Sequence, residues 1–406
     1  MPDICLYFQV HQPCRLRRFR VFDIGSGREY FDAEANRTIL RRVADKCYLP
    51  ANRILREAVE RSEGRFRFAL SLSGVLLDQL EADAPDVLES FQRLAATGAV
   101  ELLGETSHHS LAALRDAEEF RAQVARHRDA IRRHFGQAPR VFRNTELLYD
   151  DAIAAQVARL GFRGMLLEGT DRLLSWRSPN YVYAAASAPG LRLLPRNYRL
   201  SDDVGFRFSN RSWDAWPLTA DRWAEWVARS AESSVHVYLD YETFGEHHWA
   251  DSGIFDFLRH LPDALDRRGV ACVHPSALAE RAPWGTLSAP VTTSWADAER
   301  DTSAWLGNRM QRAAADRHLR LGARVRATGD PARLETWRRL GTSDHFYYMS
   351  TKGFSDGEVH QYFSPFDSPY DAFIAYMNAL TDLERECGAV GPDPRWAAGG
   401  EMAVAV

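Results

Sequence analysis

Short runs of apolar residues alternate with longer amphipathic stretches over the first two-thirds of the chain. The longer stretches carry apolar residues at i, i+3 and i+4 and close with glycine, which is typical of surface helices. Strand–helix alternation of this kind predicts a parallel sheet covered by helices. The apolar runs lie at residues 4–10, 66–72, 99–103, 140–146, 164–169, 191–197 and 235–240. Seven units predict an incomplete (β/α)7 barrel of the TIM type, with an open doubly wound sheet as the alternative.

The pattern changes after about residue 285, where only helical periodicity remains. One helix is predicted to carry Trp295 to Ala313 on a single apolar face, and others begin at Pro331 and at Pro369. We therefore expect a catalytic barrel over residues 1–285 and a C-terminal helical bundle over 286–390 that completes the site. Residues 391–406 are expected to form a loose tail.

Composition and charge narrow the class of protein. The chain has 406 residues, is 45% hydrophobic, and its net charge of −4 gives no electrostatic reason to bind nucleic acid or an anionic membrane. No run approaches the roughly 20 apolar residues of a membrane helix, and the N-terminus lacks the basic start of a signal peptide. The five cysteines form no C-x-x-C pair and are typical of free thiols in a reducing compartment. These features predict a cytoplasmic protein and leave its oligomeric state open.

Acidic and histidine side chains follow four of the predicted strands. His11 closes the first, Glu105 and His109 follow the third, Glu146 closes the fourth, and Asp240 closes the seventh. Barrel enzymes carry their reacting groups at the C-terminal ends of strands, so these side chains should converge. Two carboxylates from different strands suit cleavage of a glycosidic bond, in which one is ionised and the other gives a proton to the leaving oxygen.

The stretch YLDYETFGEHHW adds an acid beside one of these carboxylates. Asp240 and Glu242 should share a face of the strand, because strand side chains repeat every two residues. Glu242 is then expected to bind sugar hydroxyls or to hold the protonation state of Asp240, with a buried ion pair to an arginine as the alternative. For Glu146 the alternative is a structural ion pair with Arg143.

Five short segments resemble the motifs of glycoside hydrolase family 57, which acts on α-glucans. They occur in the family's order as VHQP (10–13), GAVELLGETSHHSL (98–111), FRNTELLY (142–149), LDYETFGEHHW (239–249) and GTSDHF (341–346). The resemblance runs from the N-terminus into the C-terminal helices. It implies a seven-unit barrel with a helical C-terminal part, retention of anomeric configuration, and no metal or other cofactor.

The resemblance also implies roles for individual residues. Glu146 would be the nucleophile, Asp240 the general acid/base, and Asp344 an acid that binds the substrate. The further candidate substrate contacts are His11, Glu101, Glu105, His109, Glu242 and His247.

The sequence departs from the family's motifs at two places. Gln9 stands where many members have histidine, and the fourth motif ends in GEHHW rather than GHW. The second departure leaves open whether His247 or His248 faces the sugar. Of the adjacent pair His108 and His109, we expect His109 to face the site and His108 the surface, because neighbours on an extended strand point in opposite directions.

These features predict a retaining, α-amylase-like glycoside hydrolase for α-1,4-glucosidic bonds of maltooligosaccharides, starch or glycogen. A 4-α-glucanotransferase or branching enzyme is the alternative, since it shares the glycosyl-enzyme intermediate and differs only in the acceptor. A zinc-dependent deacetylase would need a metal triad, and none of the 13 histidines has a histidine partner four residues away. A glucan-binding protein without turnover is disfavoured by the presence of both Glu146 and Asp240.

Overall fold

The computed structural model describes residues 2–230, 233–352 and 364–388, so the predicted tail over 391–406 lies outside the described residues. Its strands are β1 (Asp3–Val10), β2 (Phe68–Leu72), β3 (Val100–Leu102), β4 (Val141–Arg143), β5 (Gly164–Glu168), β6 (Tyr183–Ala185), β7 (Ala188–Arg196), β8 (Ser234–Asp240) and β9 (Gly285–Leu287).

The helices occur between the strands and after β9. Those before β9 are α1 (Ala33–Val43), α2 (Leu49–Arg61), α3 (Gly74–Asp83), α4 (Pro85–Ala95), α5 (Ala112–Arg115), α6 (Ala117–Phe135), α7 (Asp151–Arg159), α8 (Asp171–Leu174), α9 (Tyr198–Gly205), α10 (Ala220–Ala228), α11 (Ile254–Asp266) and α12 (Pro275–Ala279). Those after it are α13 (Ser303–Leu306), α14 (Arg309–Ala327), α15 (Pro331–Leu340), α16 (Ser343–Tyr347) and α17 (Pro369–Glu386). No helix in the described ranges is long and apolar enough to cross a membrane.

Seven parallel strands form the barrel wall, one in each of the seven predicted apolar runs. They belong to two sheets, β3-β2-β1-β8 and β4-β5-β7-β6-β9, and backbone hydrogen bonds join β3 to β4 and β8 to the end of β7. In the first join the Gly104 N–H donates to the Val141 carbonyl at 2.9 Å, and in the second the Asn197 N–H donates to the His236 carbonyl at 2.7 Å. A β-carbon on Gly104 would lie 2.7 Å from the Phe162 ring, so this join requires glycine. The predicted barrel is confirmed.

Two strands lie outside the wall and were not predicted. β6 runs antiparallel to β7, and β9 runs parallel to β6, which extends the second sheet beyond the barrel. Each has only three residues, too few for alternation of apolar and polar positions to be recognised.

Alternation along β1 shows how the barrel is filled. Its even-numbered residues, Ile4, Leu6, Phe8 and Val10, belong to the apolar cluster that the covering helices share. The odd-numbered Cys5 and Tyr7 belong to a separate cluster of strand residues, in which the Tyr7 and Tyr238 rings meet edge-to-face at 5.6 Å. Gln9, the next odd-numbered residue, is buried on the same face at the C-terminal end of β1, where the interior side chains are polar.

The prediction of a helix from Trp295 to Ala313 is wrong at its start. Residues 288–302 are not helical, and the helices begin with α13 and α14. Asp297 and Arg300 have φ of 55° and 50°, in the left-handed region that a continuous helix excludes. α15 and α17 begin where predicted, each after a side-chain cap. The division into domains at residue 285 stays a prediction.

Candidate active site

A chain of side-chain contacts crosses the C-terminal end of the barrel. His109 Nε2 lies 2.7 Å from Glu146 Oε1, and His109 Nδ1 lies 3.6 Å from Glu105 Oε2. The His11 ring stacks on the His109 ring with centroids 4.0 Å apart, and His11 Nε2 lies 3.1 Å from Asp344 Oδ2. The structure therefore brings together five of the side chains that the sequence singled out.

His109 is positively charged in this cluster. Burial alone would lower its pKa, but its contacts with Glu105 and Glu146 outweigh burial and raise the pKa to about 9. At neutral pH both ring nitrogens therefore carry protons and can face carboxylates. Glu105 is fully buried, and its pKa is lowered because His109, His127 and Arg143 more than offset the cost of burial.

Glu146 is held in its ionised form. Oε1 faces His109, and Oε2 accepts a hydrogen bond from the Trp295 indole N–H at 2.8 Å. Burial opposes ionisation, but His109, Arg143 and Trp295 together lower the pKa of Glu146 to about 2. The side chain keeps 24% of its surface exposed, so a charged carboxylate faces the barrel mouth.

The backbone after β4 aims this carboxylate. Glu146 has φ 53° and ψ 28°, and Leu147 also has a positive φ, which costs a residue other than glycine about 1–3 kcal/mol. Asn144 closes the turn by donating from Nδ2 to the Leu148 carbonyl at 2.9 Å, and the Trp295 N–H donates to the Glu146 carbonyl at 3.2 Å. A strained conformation retained at this position is a feature of functional sites.

Asp240 has the opposite electrostatic environment. It closes β8 with Gln9 as its register partner, and burial raises its pKa, which the Glu146 charge raises further, to about 6. Burial and the neighbouring Asp240 raise the pKa of Glu242 to about 8, and the Tyr48 hydroxyl donates a hydrogen bond to Glu242. Glu146 is thus ionised at a pH where Asp240 still holds its proton, up to about pH 6, which is the separation that acid and nucleophile roles require.

Arg143 and Trp295 are site residues that the sequence did not assign. Arg143 is fully buried, with its guanidinium carbon 5.1 Å from the centre of the Trp295 ring and Nη1 4.0 Å from Glu105. The ion pair expected as the alternative for Glu146 is therefore directed to Glu105 instead. The sequence analysis missed the contact of Trp295 with Glu146, because the apolar periodicity around Trp295 predicted a helix.

Glu101 lies outside this cluster. It occupies the middle of β3, four residues before Glu105, and its Oε2 accepts from the Ser276 N–H at 3.0 Å at the start of α12. Glu101 therefore has a structural partner at α12, and its role as a sugar contact stays a prediction.

Adjacent histidines behave differently in the two motifs that contain them. His247 is exposed and lines a separate cavity, whereas His248 is buried, with Nδ1 2.8 Å from Ser209 Oγ. The expectation that His108 is exposed is wrong, because its side chain is 1% exposed and lies 3.3 Å from Glu335. His109 has φ 49°, so the two side chains follow a turn and do not alternate as on a strand.

Comparison with known proteins identifies the family. The model of glycosyl hydrolase family 57 matches residues 5–288. A protein of Methanocaldococcus jannaschii named "Putative alpha-amylase" is 42% identical over 396 residues, which are 94% of this chain and 84% of that protein. The chain belongs to glycosyl hydrolase family 57 and is a glycoside hydrolase. The deacetylase alternative is wrong.

Solved structures share the fold. A branching enzyme of this family from Thermococcus kodakaraensis aligns with a TM-score of 0.67 at 15% identity over 89% of this chain and 87% of that one. The 4-alpha-glucanotransferase from Thermococcus litoralis aligns with a TM-score of 0.66 at 15% identity over 85% of this chain. This chain spans 56% of that transferase. At such identity the likeness supports the barrel fold and not a particular activity.

Proposed function

We propose that this protein is a retaining hydrolase that cleaves α-1,4-glucosidic bonds in maltooligosaccharides, starch or glycogen. The observation that carries the proposal is the pair Glu146 and Asp240, whose pKa values of about 2 and about 6 separate a nucleophile from a proton donor. The relative from Methanocaldococcus jannaschii, by its name, supports an α-glucan substrate and hydrolysis over transfer.

The proposed reaction proceeds by two displacements. Glu146 attacks the anomeric carbon while Asp240 protonates the departing glycosidic oxygen, which leaves a glycosyl ester on Glu146. The ester carries no charge, so the repulsion that raises the pKa of Asp240 disappears. The pKa of Asp240 therefore falls, and its carboxylate takes a proton from a water molecule. The water oxygen bonds to the anomeric carbon, the bond from that carbon to Glu146 breaks, and both carboxyl groups return to their starting states.

The neighbouring residues support this cycle. His109 donates to Glu146 Oε1 and stabilises the carboxylate when the ester is hydrolysed. Glu105, buried beside His109, keeps the imidazole protonated. Asp344 and His11, linked at 3.1 Å, are proposed to bind hydroxyl groups of the sugar whose bond is cleaved.

The test is turnover and stereochemistry on maltoheptaose. Wild-type protein should release the α-anomer first, seen by proton NMR before mutarotation, and Glu146→Gln should lose turnover while its thermal melting stays that of a folded protein. Initial release of the β-anomer, or more than a few per cent of normal turnover in Glu146→Gln, would overturn the proposal.

Product size decides between hydrolysis and the transferase alternative. Hydrolysis gives only products shorter than the substrate, whereas a glucanotransferase also gives longer chains and a branching enzyme gives new α-1,6 linkages. We expect only shorter products from a single purified maltooligosaccharide.

A further inference from the structure

A second cavity opens at the protein surface beside the turn that follows β8. It measures about 320 Å³, at the lower end of the range of small-molecule sites. Its lining consists of two serines with Arg211, Trp216, His247, Trp249 and Asp251. None of these side chains belongs to the cluster around Glu146.

Two tryptophans in this lining are exposed to solvent. Trp216 is 42% and Trp249 is 59% exposed. A cation lies over each ring, with the Arg211 guanidinium carbon 5.8 Å from the Trp216 centroid and Lys46 Nζ 5.1 Å from the Trp249 centroid. Large aromatic surface left in contact with water, gathered around one concavity, marks a site of interaction.

The chemistry of the lining favours a neutral polyhydroxyl ligand. Arg211 and His247 supply donors, Asp251 supplies acceptors, and serine hydroxyls can do either. Asp251 balances the charge of Arg211 in the lining, so the lining has no excess of one charge that would favour an anionic ligand. The C–H faces of a sugar ring are apolar and can pack on an indole, while its hydroxyl groups reach the polar groups around it.

Hydrogen bonds attach both walls of the cavity to the turn that follows β8. On one wall the His247 N–H donates to the carbonyl of Glu242 at 2.9 Å. On the other wall, the loop before α10 is held by His248, whose Nδ1 lies 2.8 Å from Ser209 Oγ and whose Nε2 lies 3.1 Å from the Gly205 carbonyl oxygen. Both walls of the cavity are therefore attached to the segment that follows Asp240 in the chain.

We propose that this cavity is a subsite for a glucose unit of the substrate other than the one at the cleaved bond. The inference rests on the proposed function and adds to it a preference for longer chains, which gain the contact with Trp216 and Trp249.

The test measures kcat/KM on maltooligosaccharides of three to seven units for the wild type and for Trp216→Ala/Trp249→Ala. The ratio of kcat/KM on maltoheptaose to that on the shortest cleaved chain should fall about tenfold or more, as expected for loss of aromatic anchors. Trp176→Ala is the control, because Trp176 is 76% exposed but lies just after α8, outside this cavity. If the double variant melts like the wild type and the ratio is unchanged, whether or not kcat/KM itself falls, the inference is overturned.

A binding measurement separates this inference from the proposed function. Maltoheptaose is titrated by calorimetry into Glu146→Gln and into Glu146→Gln/Trp216→Ala/Trp249→Ala. Weaker binding to the second variant supports the subsite even if the wild type fails to cleave, in which case the proposed function falls alone. Equal binding to both, or no binding to either, overturns the subsite.

Discussion

At the residue scale, partners set the protonation states on which the proposed reaction depends. Glu146 receives hydrogen bonds from His109 and Trp295 and is ionised throughout the neutral range. Asp240 is half-buried and Glu242 is buried, each beside another carboxyl group, and their pKa values rise to about 6 and about 8. Since Asp240 and Glu242 interact, they titrate as a pair.

The pH dependence of kcat/KM should follow this pair. We expect kcat/KM to fall as pH rises through about 6, because Asp240 must hold its proton to act as an acid and burial beside Glu146 sets its pKa there. The measurement is kcat/KM from pH 4 to 9, with melting recorded at each pH to identify unfolding. A constant kcat/KM from pH 5 to 9 would assign proton donation to another group.

His109 should make stability depend on pH. Its folded pKa of about 9 exceeds the ordinary value of 6.5, so its contribution is fully present below pH 6.5 and is lost as pH rises through 9. The free energy of unfolding of the wild type should therefore exceed that of His109→Gln most at pH 6, and the difference should shrink by pH 10. Urea unfolding at both pH values measures this. A difference independent of pH would mean that His109 is neutral in the folded protein.

At the element scale, two irregular segments position the nucleophile. The turn after β4 presents Glu146, and the non-helical segment 288–302 supplies Trp295. This segment is anchored by Lys352 Nζ, 3.0 Å from Asp297 Oδ2, and by Arg300 Nη1, 3.2 Å from Glu168 Oε1. The position of the Trp295 indole thus depends on two ion pairs that join its loop to residues outside it.

Trp295→Phe tests the indole hydrogen bond. The variant keeps an aromatic ring but loses a bond to a charged group worth about 1.5–3 kcal/mol, so kcat/KM should fall about tenfold or more. Trp337→Phe is the matched control, since it removes an indole donor to the His318 carbonyl oxygen within the helices. The control should lower the melting temperature without a comparable loss of kcat/KM. Equal effects on activity would make Trp295 a packing residue.

Helices and strands with a regular pattern of apolar residues could be predicted from the sequence, whereas segments with irregular backbone could not. The seven wall strands are recognisable because each is a buried apolar run, and α17 is recognisable from Ser368 and Pro369 at its start. Two predictions were wrong for the same reason: that His108 is exposed and that Trp295 is helical. Periodicity assumes regular backbone, whereas His109, Glu146 and Asp297 have positive φ.

At the scale of the whole molecule, the barrel mouth contains a residue from the far end of the chain. Asp344, in α16, contacts His11 across 333 residues of sequence. Burial opposes ionisation of Asp344, but His11 outweighs it and holds the pKa of Asp344 well below its usual range. No periodicity or spacing predicts such a contact. The resemblance of GTSDHF to a family motif was its only sequence signal.

Asp344→Ala tests whether the C-terminal helices take part in catalysis. If Asp344 binds a sugar hydroxyl more tightly in the transition state, kcat should fall about tenfold or more, and not only KM rise. Asp367→Ala is the control, since Asp367 forms an exposed ion pair with Arg18 and should leave kcat unchanged. Normal kcat and KM in Asp344→Ala would mean that α16 only supports the barrel and does not contact the substrate.

The central claim is that Glu146 forms a covalent bond to the sugar, and trapping that ester tests it most directly. The protein is incubated with a 5-fluoro-α-glucosyl fluoride, which forms the ester readily and hydrolyses it slowly, and is then digested and examined by mass spectrometry. The account predicts one added fluoroglucosyl group, on the peptide that contains Glu146. A label on another carboxylate, or turnover of the fluoride with inversion and no label, would contradict it.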